Sequence, residues 1–313
     1  MLPRVRIQAL VPDGAQVLWN PNGTAPGLAM EVEPNAFRGN GKASWLVLLP
    51  GPPRELRPMF TDLVVPLLHK AFPAETAFVC RTFRTIGIGE SLVEHKLIGP
   101  LQPLVEAGLE LGYCARPGQT DVRLVAHGVD AERIVHQAEE ILRAKLGEHV
   151  YGVEEEELEA VIVRLLTEKK KTLALAESCT GGLLAHRITN VPGASAVLLA
   201  GCVTYTNEAK QKFLGVKAET LEQHGAVSKE VAREMAEGAR ERTGADYALS
   251  VTGIAGPTGG TEGKPVGTVF IGLAGRFRTI VVRNFNPVDR ETFKHMTVQQ
   301  AMESLRRKAL EAS

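Results

Sequence analysis

A strand-to-helix turn at residues 176–182, with the sequence Ala-Glu-Ser-Cys-Thr-Gly-Gly, places the strongest constraint on how this chain folds. The apolar stretch 172–176 that leads into it is typical of a buried β-strand. Apolar residues then recur at helical spacing at Leu183, Leu184, Ile188 and Val191. At such a turn, free N–H groups and the positive end of the helix dipole favour an anion or a polarised carbonyl. Taken alone, the pattern fits an ordinary turn with a Ser or Thr cap equally well.

The composition excludes several classes of protein. The 313 residues suffice for two or three domains, and Lys plus Arg balance Asp plus Glu at 36 each, so no global field attracts nucleic acid or anionic lipid. No apolar run is long enough to span a membrane, and residues 1–6 lack the apolar region of a signal peptide. Because neither the histidines nor the four cysteines form a metal-binding pattern, we expect free thiols, no metal, no cofactor and a cytoplasmic location.

Three segments can be separated along the chain. Residues 1–75 are rich in Pro and Gly, with a strand expected at 45–49 and a helix after 50–53. This segment is short for an independent domain and resembles the back half of a larger one. Residues 76–151 show the order β-α-β-β-α, which predicts a small α+β module. Residues 152–313 alternate strands with helices and predict a layered α/β domain.

The hydrophobic patterns also predict individual elements in the second and third segments. Strands are expected at 78–88, 109–115, 120–126, 173–176, 203–205, 247–251, 268–273 and 279–283. Helices are expected at 90–97, 131–146, 179–190, 229–243 and 290–312, with a further amphipathic helix beginning at Leu158.

Four polar clusters lie at the ends of elements in the third segment. They occupy residues 177–182, 193–195, 205–210 and 252–257. Three of them follow the carboxyl ends of expected strands, which is where α/β folds bind their ligands. We therefore expect a ligand-binding site to be assembled from these loops.

A serine and a lysine without an obvious histidine partner indicate one kind of chemistry. A lysine buried against apolar walls loses proton affinity and can act as a base on a serine that attacks an acyl carbon. Backbone N–H groups of the glycine turn could then stabilise the oxyanion. Spacing alone also permits Lys210 to be a surface lysine or a phosphate contact, and Ser195 to be a helix cap. Cys179 is a competing nucleophile, because a helix N-terminus lowers the pKa of a thiol, but no base is evident beside it.

An ordered series of motifs carries a family resemblance. These motifs are Ala-Glu-Ser-Cys-Thr-Gly-Gly, Val-Pro-Gly-Ala-Ser, Val-Thr-Tyr-Thr-Asn-Glu-Ala-Lys, His-Gly-Ala-Val-Ser, Val-Thr-Gly-Ile-Ala-Gly-Pro and Lys-Pro-Val-Gly-Thr. From about Leu158 onward the chain resembles the C-terminal, nicotinamide-nucleotide amidohydrolase domain of the CinA (competence/damage-inducible protein) family. Residues 78–151 resemble the family's small connecting module, which is likened to a KH domain. Residues 12–60 resemble the last part of its N-terminal domain, which is similar to molybdopterin-binding proteins.

The resemblance implies hydrolysis of nicotinamide mononucleotide to nicotinate mononucleotide and ammonia, in pyridine-nucleotide recycling. It implies a serine–lysine mechanism without metal, with Ser195 as nucleophile, Lys210 as its base and Tyr205 shaping the nicotinamide pocket. Arg290, in a looser match, would contact the polar end of the nucleotide. The remaining substrate contacts implied by the resemblance are Ser178, Thr180, Gly181, Gly182, Thr252 and Gly253.

One departure from the family pattern concerns the N-terminal segment. Full-length members carry a Ser-Gly-Gly-Leu-Gly-Pro-Thr loop and acidic residues there, and nothing of that kind precedes Pro12. We therefore expect no ADP-ribose pyrophosphatase activity, and we expect the half-domain to favour a homo-oligomer. The alternatives are a non-catalytic pyridine-nucleotide-binding protein in competence or DNA-damage responses, residual pyrophosphatase activity, and a nucleic-acid module. Neutral charge, few aromatics and the absence of a G-x-x-G loop in the second segment argue against the last.

Overall fold

The computed structural model describes residues 10–34, 43–73 and 78–311, and it divides the chain into two compact units, 1–77 and 78–313. Residues 1–6, where a signal peptide was not expected, and residue 312, the expected end of the last helix, lie outside the described residues. No helix in the described part is long and apolar enough to cross a membrane.

The first unit contains a small antiparallel sheet and an interrupted helix. Its strands, in the order β1-β2-β3, are β1 Gln16–Leu18, β2 Gly27–Val32 and β3 Ser44–Leu48. Its helical part consists of α1 Pro53–Met59, a π-helical turn Phe60–Val64 and α2 Val65–Ala71. The predicted helix is present, but it begins at Pro53, the last of the prolines, and not after it, because the first helical position needs no backbone N–H donor. The resemblance of residues 12–60 to the last part of a domain similar to molybdopterin-binding proteins stays a prediction.

The second unit begins with a four-stranded antiparallel sheet. Its elements are β4 Phe78–Ile86, α3 Glu90–Glu106, β5 Glu110–Arg116, β6 Gln119–His127, α4 Ala131–Leu146 and β7 Val150–Val153, and the strand order is β5-β6-β4-β7. This is the predicted β-α-β-β-α order with one more strand. Helix α3 runs nine residues beyond its expected end and contains Pro100 and Pro103. Its buried Leu97 and Leu101 pack into the core, and that packing outweighs the local cost of the prolines.

The rest of the second unit is a mixed sheet flanked by helices. Its elements are α5 Leu158–Glu168, β8 Leu173–Glu177, α6 Leu183–Thr189, β9 Leu198–Val203, α7 Asn207–Leu214, α8 Ala218–His224, α9 Lys229–Thr243, β10 Tyr247–Gly253, β11 Thr268–Ala274, β12 Thr279–Phe285 and α10 Arg290–Glu311. The strand order is β12-β11-β10-β8-β9. Strands β9, β8 and β10 are parallel, whereas β11 and β12 are antiparallel to their neighbours.

Successive side chains of β8 point to opposite faces of this sheet, and each face carries a hydrophobic core. Leu173 and Leu175 belong to the cluster that includes α5 and α10, whereas Ala174 and Ala176 pack with α9 on the other face. The central strand is therefore buried on both faces, as is typical of parallel sheets covered by helices. The layered α/β class predicted for this part of the chain is confirmed.

Three local predictions in this region differ from the structure. The strand expected at 203–205 occupies Leu198–Val203, and the helix expected from Cys179 begins at Leu183. Gly181 and Gly182 have φ angles of +63° and +94°, and such left-handed residues cannot belong to a right-handed helix. Helices α7 and α8 were not expected, because both are short and only partly buried.

Candidate active site

The carboxyl ends of the three parallel strands bring three polar segments together. Ser178 follows β8, Thr204 follows β9, and Thr252 is the second-last residue of β10. The Ser178 N–H donates to the Val251 carbonyl at 3.0 Å, and the Thr204 N–H donates to the Glu177 carbonyl at 2.8 Å. These backbone bonds continue the sheet past its last paired residues, so the polar side chains are held at one edge of a rigid scaffold.

Lys210 points into this edge from the first turns of α7. That helix is capped by Thr206, whose Oγ1 accepts a hydrogen bond from the Ala209 N–H at 3.2 Å. The Lys210 Nζ lies 3.1 Å from the Ser178 Oγ and donates to the Thr204 carbonyl at 2.8 Å. The residue is only 1% exposed, and no carboxylate among the described residues forms an ion pair with it. Burial therefore lowers the pKa of Lys210 below the ordinary lysine value.

Ser178 is the more accessible member of the pair. It is 9% exposed, against 1% for Lys210. A neutral amine in hydrogen-bond contact with the hydroxyl can take its proton as the oxygen attacks an acyl carbon. The geometry thus supplies a nucleophile and a base from the two sides of one buried hydrogen bond.

The structure places Ser195 elsewhere. It lies in an exposed 3-10 turn, Ala194–Ala196, immediately before β9, at the amino end of the strand whose carboxyl end carries Thr204. Since β9 has six residues, its two ends lie about 17 Å apart. The predicted pairing of Ser195 with Lys210 is therefore not formed within this chain, and Ser178 takes its place. The assignment of Ser195 came from the family resemblance, and the position of β9 before residue 204 separates that serine from the carboxyl end of the strand.

Glu177 changes the expected role of the glycine turn. Its side chain is buried, and its carboxylate accepts hydrogen bonds from the N–H groups of Gly182, Leu184 and Ala185 at 3.0, 3.1 and 2.8 Å. The Gly181 N–H donates to the Ser178 carbonyl at 3.0 Å. The N–H groups of both glycines are thus already used, so they do not form the expected oxyanion site. The helix dipole is compensated from within the chain.

Cys179 is unsuited to act as a nucleophile. Its side chain is buried, and this burial raises the thiol pKa to about 12, although the charge of Lys210 acts in the opposite direction. The expectation that a helix N-terminus activates this thiol is wrong, because Glu177 and not the thiol receives the N–H groups of α6. A thiol with this pKa is almost fully protonated at neutral pH.

Tyr205 and Arg290 form a second pair beside the first. One guanidinium nitrogen of Arg290, Nη2, donates to the Tyr205 hydroxyl at 2.8 Å, and Nη1 donates to the Gly256 carbonyl at 2.9 Å. The Tyr205 side chain remains 59% exposed, so its ring is available to a ligand. Arg290, at the start of α10, therefore ties the tyrosine to the loop that follows β10.

Two of the other predicted contact residues, Thr252 and Gly253, make structural contacts within this chain, whereas Thr180 does not. The Thr252 Oγ1 donates to the Ala226 carbonyl at 2.7 Å. Gly253 packs so closely on β11 that an added Cβ would lie 2.9 Å from the Thr268 carbonyl oxygen. The Thr180 hydroxyl is buried and has no hydrogen-bond partner among the described residues, which leaves its donor free.

Sequence reasoning missed two contributors to the site. The Thr204 carbonyl holds the Lys210 amine, and a backbone atom leaves no signal in the sequence. Glu177 anchors α6, and an acidic residue directly before a glycine-rich turn could have indicated this cap.

Within residues 10–34, 43–73 and 78–311, no cluster of three or more metal-ligating side chains is present.

Comparison with known proteins places the chain in a family. Residues 155–309 match the model of the CinA C-terminal domain, and residues 80–152 match that of the damage-inducible protein CinA KH domain. A CinA-like protein of Akkermansia muciniphila is 46% identical over 301 residues, which cover 95% of this chain and 69% of that protein. A competence-damage inducible protein of Caldicellulosiruptor bescii is 43% identical over 307 residues, covering 97% of this chain and 72% of the relative. The structure of competence damage-inducible protein A from Klebsiella pneumoniae is 38% identical with a TM-score of 0.49 and covers 50% of this chain and 97% of its own. The chain belongs to the CinA family.

Proposed function

We propose that this protein hydrolyses the carboxamide of nicotinamide mononucleotide, releasing ammonia and leaving nicotinate mononucleotide. The observation that carries the proposal is the buried Lys210 amine, which has no counter-charge and lies 3.1 Å from the Ser178 hydroxyl. A lysine kept out of water without a carboxylate is costly for stability unless it is neutral, and a neutral amine is a base. The family resemblance supports an amide as the substrate.

In the first half of the reaction, Ser178 acts as the nucleophile. Neutral Lys210 takes the hydroxyl proton while the Ser178 Oγ forms a bond to the carboxamide carbon, and the carbonyl oxygen becomes an oxyanion. When the C–N bond breaks, the ammonium of Lys210 returns the proton to the leaving nitrogen, which departs as ammonia.

In the second half, water hydrolyses the nicotinoyl ester formed on Ser178. Lys210, again neutral, takes a proton from the water as its oxygen attacks the ester carbon. Collapse of the tetrahedral intermediate breaks the bond to the Ser178 oxygen, which receives the proton held by Lys210. The released carboxylic acid then loses its own proton to water and becomes the carboxylate. Throughout, the Thr204 carbonyl orients the amine at 2.8 Å, and the exposed ring of Tyr205 offers a π-face to the cationic pyridinium.

The test compares two serines in the same chain. Purified wild-type protein should release ammonia from nicotinamide mononucleotide, Ser178→Ala should reduce the rate by at least about 10³-fold, and Ser195→Ala should stay within about twofold. Circular dichroism would establish that both variants fold. Loss of activity in Ser195→Ala but not in Ser178→Ala would overturn the assignment of the nucleophile.

The same assay separates the proposal from its strongest alternative. Calorimetric binding of nicotinamide mononucleotide with no ammonia release over hours would instead support a nucleotide-binding protein without catalytic activity. Running the assay with and without a chelator would show whether a divalent metal contributes.

A further inference from the structure

The amino-terminal turns of α10 form one side of a cavity next to the glycine turn. The cavity has a volume of about 400 Å³ and is lined by Leu183, Arg290, Glu291, Lys294 and His295. Arg290 and Lys294 are four residues apart and therefore lie on the same face of the helix. Among these lining residues Glu291 contributes the one carboxylate, so two basic side chains, Arg290 and Lys294, accompany one acidic side chain.

The two cations differ in how many of their hydrogen-bond donors are already used. Arg290 uses two guanidinium nitrogens on the Tyr205 hydroxyl and the Gly256 carbonyl. The half-buried Lys294 has no hydrogen bond or ion pair with any residue the structure describes. All three of its ammonium donors are therefore available to a ligand.

Lys294 also lies directly against the turn that carries the nucleophile. A Cβ placed on Gly181 would be 3.8 Å from the Lys294 Nζ, and the Gly181 N–H is bonded to the Ser178 carbonyl at 3.0 Å. This separation is an ordinary van der Waals distance, so the ammonium lies beside the backbone of the turn. A substrate whose reacting group reaches Ser178 can thus extend a charged group into the cavity beside Lys294.

We infer that Lys294 binds the anionic phosphate of the substrate, and that Arg290 instead positions Tyr205. This assignment rests on the proposed function, and it moves the anion contact from Arg290 to a residue that the sequence analysis did not single out. The class of ligand is a pyridine nucleotide with a terminal phosphate monoester, for which a lysine ammonium serves as a point-charge partner. Neutral amides of similar shape would lose this contact.

The experiment compares nicotinamide mononucleotide with nicotinamide riboside, which lacks the phosphate. Lys294→Gln should raise KM for the mononucleotide roughly 10- to 100-fold with kcat within about twofold, and leave kcat/KM for the riboside unchanged. Lys308→Gln is the matched control, because Lys308 lies on the same helix but pairs with Glu311. Equal losses on both substrates, or no loss on either, would overturn the inference.

Calorimetry with ribose 5-phosphate separates this inference from the proposed function. The probe carries the phosphate but no amide, so its binding does not depend on hydrolysis. Lys294-dependent binding of the probe without any ammonia release would preserve the phosphate site and refute the amidase. Ammonia release together with probe binding that is unchanged in Lys294→Gln would preserve the amidase and refute the phosphate site.

Discussion

Arg84 and Lys210 are both about 1% exposed, and they show two ways of burying a positive charge in the same unit. Arg84, on β4, donates to the Glu154 carbonyl at 2.6 Å and lies 3.3 Å from Glu157 and 3.8 Å from Asp121. Among the described residues, Lys210 has a carbonyl and a hydroxyl as its hydrogen-bond partners. One cation is compensated by carboxylates, whereas the other is left with neutral partners.

The difference changes the protonation of each group in opposite directions. Burial alone would lower the pKa of Arg84, but the charges of Asp121 and Glu157 outweigh it and raise that pKa. For Lys210, burial dominates and the pKa falls. Carboxylates beside a buried cation stabilise its protonated form, so such a group has a structural role. A buried cation without carboxylates has a lowered pKa and can act as a base, because losing its proton needs less free energy.

The largest expected effect concerns Lys210 itself. Lys210→Met keeps the length of the side chain but removes the base, so ammonia release should fall by at least about 10³-fold. Steady-state assays at saturating nicotinamide mononucleotide would measure this, with circular dichroism as the control for folding. Turnover within tenfold of wild type would contradict the role of Lys210 as the base, and with it the functional difference from Arg84.

Arg84→Met should show the opposite pattern. Removing the guanidinium leaves Asp121, which is 5% exposed, with only Arg116 at 2.9 Å, so the free energy of unfolding should fall by about 3 kcal/mol. Urea denaturation would measure the loss. Turnover at a temperature where the variant is folded should stay within about twofold, and a specific loss of turnover would contradict a purely structural role.

The smallest effect is the dependence of the rate on pH. Below the lowered pKa of Lys210, kcat/KM should rise about tenfold per pH unit, and it should level off below the ordinary lysine value of about 10.4. The free energy of unfolding should rise with pH between the lowered pKa of Lys210 and about 10.4, because only in that range does the folded state bind fewer protons than the unfolded state. A rate that goes on rising up to about pH 10.4 would show that burial does not shift the pKa of this lysine.

Much of the architecture could be predicted from local patterns. The helix Ala131–Leu146 has its predicted bounds because its apolar residues recur every three or four positions on one buried face. Strand β9 could not be placed in the same way, since Leu199, Ala200 and Gly201 are exposed at the edge of the sheet and show no alternation. The family resemblance had implied Ser195 as the nucleophile, and the observed position of β9 separates that serine from Lys210.

The sequence by itself determined the family, the layered α/β class and the loops from which the site is built, because motifs and hydrophobic periodicity are local properties. Only the tertiary structure decided which serine meets Lys210 and how the two buried cations are compensated. Both depend on which strand ends share an edge of the sheet and on a backbone carbonyl, that of Thr204, whose position follows from strand pairing and not from the identity of any side chain.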